Sequence, residues 1–290
     1  MMKHKLFTLL VINTLIIFTA CKENKTVKES SKLEQNSIRI VSLNGAISEI
    51  IYELGYESNL VATDITSNYP KSVNELPKVG HNRNIQAEGI LAQNPDVVVG
   101  IQKELNPKVI EQIKASGVRV VLFNQEHSIE GTKKLIQGVK DSLNLDIKND
   151  SLNLLIDESI NKLEAFEYSP KVLFIYARGA GTILVAGKKT QMDKMISIAG
   201  GENAVNNFES FKPLTAEAIV TANPDVILMF TTGAQSLNGV FDNVPGILQT
   251  NAGKNKRIIT MDGQYLAGFG PRVGKAALEL NEKLSEILEK

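Results

Sequence analysis

The 290-residue chain has one cysteine, no tryptophan, and only 6% aromatic residues. A single thiol excludes an intrachain disulfide and any cysteine-built metal cluster. With no tryptophan and few other aromatics, no stacking platform for sugars or bases is evident. Lys plus Arg and Asp plus Glu both number 32, so net charge is zero. There is no basic excess to attract nucleic acid, and no acidic excess either. Long apolar runs are also scarce. The one notable stretch, Leu6 to Ala20, follows Lys3 and Lys5, spans fifteen residues and is interrupted by Thr8, Asn13 and Thr14. That is short for a bilayer span and the right size for a secretory signal. Catalytic signatures are missing too. No phosphate loop, no Gly-x-Ser-x-Gly elbow and no grouping of carboxylates and histidines at ligand-like spacing occurs, so the sequence is read as a non-enzyme.

What is present is a phrase stated twice. Ala87-Glu88-Gly89-Ile90-Leu91-Ala92-Gln93-Asn94-Pro95-Asp96-Val97-Val98-Val99 is matched by Ala216-Glu217-Ala218-Ile219-Val220-Thr221-Ala222-Asn223-Pro224-Asp225-Val226-Ile227-Leu228, with seven of thirteen positions identical. Each copy predicts a short helix, a stop at Asn-Pro, and a buried strand. The residue before proline is driven out of the right-handed α region, and an unbroken Val/Ile run suits a parallel strand covered on both faces. Ala115-Ser116-Gly117 before the strand Val118 to Phe123 parallels Asn251-Ala252-Gly253 before Ile258 to Met261. Two αβ lobes of one plan flanking a cleft is the simplest reading, and that is a binding architecture.

The expected organisation is a signal peptide at 1–20, a tether at 21–37, an N-terminal αβ lobe at 38–126, a connecting helical segment at 127–169 and a C-terminal αβ lobe at 170–290. In lobe one, a strand from Ile38 leads to a helix over Asn44 to Leu54, which ends at Gly55. A second strand follows over Leu60 to Thr63. Ser128 to Leu143 and Ile147 to Phe166 are helical by apolar spacing and have no counterpart in the repeat, so they join the lobes as a stiff spine. Lobe two opens with the strand Lys171 to Tyr176 and closes with a helix over Gly274 to Leu288. The fold class is α/β, two lobes with parallel central sheets joined by a single long helix. Met192, Met195, Met229 and Met261 fall in apolar patterns and read as core packing.

The leader ends Phe18-Thr19-Ala20-Cys21, which resembles a bacterial lipobox. The plain alternative is a signal peptide with a chance cysteine, but Cys21 is the sole cysteine and stands at the cleavage position. Lipidation at Cys21 is expected, with Lys22 to Ser37 as a polar flexible tether.

Further motifs carry a wider resemblance. They are Val79-Gly80-His81-Asn82-Arg83, Ala199-Gly200-Gly201-Glu202-Asn203-Ala204, Phe211-Lys212-Pro213-Leu214-Thr215 and Gly268-Phe269-Gly270-Pro271-Arg272. With the repeated units, they make the region from 38 to about 288 resemble the substrate-binding proteins of ATP-driven importers for haem, cobalamin and iron-siderophores. Within that group it most resembles the haem-binding branch. The resemblance implies capture of haem, the transported ligand, between the lobes. It also implies delivery to an ABC permease dimer with its ATPase subunits, from an exported position facing the periplasm or cell exterior. Haem binders of this type usually carry Tyr after the first Val-Gly, and here the residue is His81. Tyr and His both ligate haem iron, and an imidazole suits ferric and ferrous states alike.

The resemblance makes His81 the expected iron ligand and Tyr176 a second candidate. Arg83, Arg178, Tyr265 and Arg272 are the expected haem contacts, since guanidinium pairs well with propionate carboxylates. His127 reads as structural. Glu88 and Glu217, equivalent in the two copies, each open a helix; the resemblance adds docking on permease arginines. A cobalamin or ferric-siderophore carrier of the same transporter class remains the alternative. A chelatase-type enzyme on such a scaffold is the remaining alternative, and the site residues do not favour it.

Overall fold

The computed structural model describes residues 38–289 except 82–83, 145–150, 179–182, 214 and 238–243. The expected signal peptide, tether and Cys21 lie outside the described residues, as do Arg83 and residues 179–182. Residues 38–290 form one compact unit.

Lobe one alternates strand and helix: β1 (Ile40–Ser42), α1 (Gly45–Glu53), β2 (Leu60–Thr63), α2 (Ala87–Leu91), β3 (Val97–Ile101), α3 (Pro107–Ala115) and β4 (Arg119–Phe123). The strands make a four-stranded parallel sheet in the order β2-β1-β3-β4. Val97, Val98 and Val99 are all fully buried, as both faces of a helix-covered parallel sheet require. Asn44 starts α1 because its side-chain oxygen accepts from the Ala46 and Ile47 amides.

The connecting segment holds α4 (Ile129–Ser142) and α5 (Ser151–Ile160). Within it α4 stops at Ser142, as the expected helical stretch to Leu143 does, and Asn144 turns left-handed at φ 52°. The second helical stretch is also shorter than the 147–166 expected, because its apolar period runs on past the backbone's own stop at Ile160.

Lobe two contains β5 (Lys171–Ala177), β6 (Ile183–Ala186), α6 (Gln191–Ile198), β7 (Glu202–Asn203), β8 (Phe211–Lys212), α7 (Ala216–Ala222) and β9 (Val226–Phe230). It continues through α8 (Thr231–Ser236), α9 (Asn251–Lys254), β10 (Ile258–Met261), α10 (Gly263–Ala267) and α11 (Val273–Leu288). Its sheet runs β10-β9-β5-β6-β8 with β7 beside β5. The β10, β9 and β5 strands are parallel, but β6 and β8 add an antiparallel extension. The lobe is therefore not purely parallel.

The repeated phrase does the same work in both lobes. Asn94 (φ 48°), three residues past α2, and Asn223 (φ 39°), the cap of α7, both adopt the left-handed region. The following aspartates then latch the neighbouring strand. Asp96 Oδ2 accepts from the Arg39 amide at 2.7 Å, just before β1, and Asp225 Oδ2 accepts from the Lys171 amide at 3.0 Å, at the start of β5.

The two lobes share one apolar cluster. Ile47 of α1, Ile136 of α4, Ile156 of α5, Phe174 of β5 and Leu280 of α11 all belong to it and are essentially inaccessible. Fully burying each such side chain contributes about 1.5–3 kcal/mol, so the lobes are welded rather than loosely tethered. The α11 helix approaches α5 so closely that a Cβ at Gly274 would stand 2.7 Å from the Ile156 carbonyl oxygen. Only glycine fits there.

Candidate functional site

A cleft of about 560 Å³ opens where the carboxyl ends of both sheets meet, within the roughly 300–1,000 Å³ usual for small-molecule sites. In open α/β sheets, binding residues come from the loops after the strands, near the point where strand order reverses. Lobe one obeys this rule on every strand. The loop after β1 contributes Asn44, Gly45 and Ala46; the one after β2, Thr66 and Asn68; the one after β3, Lys103 and Glu104; and the one after β4, Gln125 and His127. Lobe two contributes Phe230 at the end of β9, Gln191 at the start of α6, and the α10 segment from Gly263 to Gly268.

His81 reaches this cleft through an added rung beside β2. Thr63 N donates to Pro77 O, and Val79 N to Thr63 O, each at 3.0 Å; Ile65 N then donates to Gly80 O at 3.0 Å. Residues 77–80 thereby run parallel to β2 and carry His81 to the sheet's carboxyl edge. Gly80 sits at φ 113°, a conformation that side chains disfavour, and it turns the next residue into the cleft. Lys78 anchors the rung from below, donating to Thr63 Oγ1 at 2.8 Å, Ser67 O at 2.7 Å and Val73 O at 3.0 Å. Burial pulls its ammonium below the ordinary lysine range, against the attraction of Asp64.

The other expected contacts stand elsewhere. Arg272 does not line the cleft. Its Nε and Nη2 fork onto the Glu49 carboxylate at 2.8 Å each, and its amide donates to the same group at 3.1 Å. Its guanidinium lies 3.3 Å from the Tyr69 ring centroid and 5.0 Å from that of Tyr265. Glu49 is 2% exposed, and burial pushes its carboxyl above the usual range in spite of Arg272. The structure thus makes Arg272 a tie between lobes rather than a free cleft cation. Tyr265 lies behind it: burial first, then Glu279 beside its hydroxyl, drives the phenol well above its usual range. Tyr176 is set one layer back from the cleft, its ring 6.3 Å from Phe230 and 6.4 Å from Phe211. Arg178 is exposed at the end of β5 and is not among the cleft-lining residues. Glu88 and Glu217 are both exposed in the first turns of α2 and α7. Hydrogen bonds from its own backbone amide and from Thr215 hold the Glu217 carboxyl below its ordinary range.

Sequence reasoning missed Lys103, Gln125, Gln191, Gln264 and the cleft position of His127. The one available signal was placement: four of these five follow a strand directly, where α/β sites gather. Among the described residues, the non-glycine apolar lining is Ala46, Phe230 and Ala267, and the remaining walls are largely polar. The described residues contain no cluster of three or more His, Cys, Asp or Glu able to hold a bare metal ion. No described helix is long and apolar enough to cross a membrane.

A model of the periplasmic binding protein family matches residues 40–265. The chain belongs to that family. This binding protein is of the ABC importer class. Among solved structures, it is similar to the apo periplasmic heme-binding protein RhuT from Roseiflexus sp. RS-1, at 36% identity and TM-score 0.82, covering 87% of this chain and 99% of that one. It is also similar to the periplasmic heme-binding protein BhuT in complex with two hemes, at 34% identity and TM-score 0.81, covering 86% and 98%. Among curated relatives, an uncharacterized ABC transporter substrate-binding lipoprotein, YvrC of Bacillus subtilis, is 27% identical over 91% of this chain and 83% of its own length. A vitamin B12-binding protein of Vibrio parahaemolyticus is 24% identical over 87% and 91%.

Proposed function

We propose that this binding protein captures haem in the interlobe cleft, with His81 as an iron ligand, and hands it to an ABC permease. The observation that carries the reading is His81 itself, an imidazole delivered to the carboxyl edge of the lobe-one sheet by a dedicated rung and a glycine turn. A porphyrin carrier needs one iron ligand, a cavity of this size and a cation for the propionates. Among the described residues that cation is Lys103, which lines the cleft. The heme-binding structures at 34 and 36% identity support the reading. A second reading, cobalamin, is favoured by the relatives named vitamin B12-binding at 21–24% identity.

Docking through Glu88 and Glu217, one exposed carboxylate per lobe on equivalent helices, completes the proposal, as does a lipid anchor at Cys21 placing the protein outside the cytoplasmic membrane. Optical titration with hemin tests the central claim. A saturable Soret shift is expected, and His81→Ala should weaken binding by at least the roughly 10–100-fold lost when an outer-shell partner of a metal site is removed. No saturable shift with hemin, together with saturable binding of cyanocobalamin, overturns it in favour of the second reading.

A further inference from the structure

The polar groups around the cleft divide into those committed to the protein and those left for a ligand. Asn44 accepts from two backbone amides and donates to Glu104 at 3.1 Å. Gln264 uses both ends of its amide, donating to Gly45 O at 3.1 Å and accepting from Asn68 N at 2.8 Å. Gln125 Nε2 donates to Gly268 O at 2.9 Å. These amides build the walls and tie the lobes.

His127 is different. Its ring is held by packing alone, tilted 59° against Phe269 with centroids 5.2 Å apart, and its nitrogens have no hydrogen-bond partner among the described residues. Yet the residue is half-buried and lines the cleft. The backbone on either side is clamped. Ser128 N donates to Glu126 O at 2.9 Å, Gly131 N to Ser128 Oγ at 2.9 Å, and Thr132 Oγ1 to Phe269 O at 3.0 Å. Burial pulls the imidazole below its ordinary range. A preorganised, unpartnered imidazole that faces an open cavity lacks a structural explanation for its polar atoms. Only three histidines occur in the chain, and the two beyond the leader, 46 positions apart in sequence, converge on this one cavity.

We propose that His127 is the second imidazole donor of the cleft, ligating the metal centre of the bound cargo together with His81. The inference rests on the haem reading and assigns to His127 the role the sequence suggested for Tyr176. A porphyrin iron held by two imidazoles is six-coordinate and low-spin, whereas loss of either one leaves an open or water-filled position.

The test is the ferric hemin complex of the purified protein, read by absorption and electron paramagnetic resonance. The wild-type complex should be low-spin. His127→Ala should be largely high-spin with affinity about tenfold weaker, and free imidazole added to that variant should restore the low-spin signal. His127→Gln, which keeps the ring's approximate volume and polarity, should behave like the alanine variant and stands in for it if the latter misfolds. A high-spin wild-type complex, or a low-spin spectrum unchanged in the variants, overturns this inference and leaves the haem reading intact. A wild-type protein that takes up no hemin overturns both.

Discussion

The two lobes start from the same phrase and end with different duties. In each, a short helix, a left-handed asparagine and an aspartate latch lead into a buried parallel strand. Beyond that frame they diverge. Lobe one keeps a small, wholly parallel sheet, and the loops after its strands carry the imidazoles, the lysine and Glu104 toward the cleft. Beneath them it buries a hydroxyl network in which Ser48 bonds to both Ser42 and Ser67 at 2.9 Å and Ser67 donates to Asp64 at 2.5 Å. Lobe two extends its sheet antiparallel and backs the cleft with an aromatic group, Phe174 and Tyr176 against Phe211 and Phe230. The two lobes share one scaffold, but the cleft's imidazoles and lysine stand on lobe one, while lobe two supplies wall and fastening.

The largest effect expected concerns the fastening. Arg272→Ala should lower stability by about 3 kcal/mol, because it strands the buried Glu49 carboxylate. Thermal unfolding would show it, and a split into two transitions would mean that the lobes are stable apart. A shift no larger than that of a surface substitution would remove Arg272 from its tying role.

The next concerns the division of chemistry. His81→Ala should cost hemin affinity well over tenfold, whereas Tyr176→Phe, which removes only a hydroxyl behind the cleft, should stay within about twofold, since replacing a solvated polar group away from the ligand is nearly neutral. Equal losses measured by titration would erase the proposed asymmetry.

Gly80→Ala should cost about 1–3 kcal/mol of backbone strain at φ 113° and weaken hemin binding as well by displacing His81. Denaturant unfolding beside the same titration separates the two effects. The smallest expected effect is the symmetric one. Asp96→Ala and Asp225→Ala should each cost about 1 kcal/mol, because each removes the acceptor of a backbone amide at the first strand of its lobe, Asp225 losing in addition a long 3.3 Å bond from Asn251. Markedly unequal values would show that the repeated phrase is not equivalent in the two lobes.

Much of the frame was legible in the sequence. The helix expected over 44–54 is α1 at 45–53, the strands around 60, 97, 119, 171, 226 and 258 all form, and the four methionines expected in the core are buried at 3% exposure or less. The short strands β6, β7 and β8 and the helices α8, α9 and α10 were not anticipated. Segments of two to six residues are too short to display a period, and they are held by tertiary pairing.

The site was legible only in part. Val79-Gly80-His81 announced itself through a glycine and a resemblance. Arg272 was read as a ligand contact because nothing in its own sequence neighbourhood shows that Glu49, 223 positions away, will claim it. His127 was read as structural for the same reason, since its neighbours say nothing of the cavity it faces.

Local order and the repeat follow from sequence alone because backbone propensity, proline geometry and apolar periodicity act over a few residues. Which polar groups are left uncommitted in the cleft was decided only by the tertiary structure. Strand order determines which loops meet, and long-range partners such as Glu49, Gly268 and Phe269 determine which side chains are already taken.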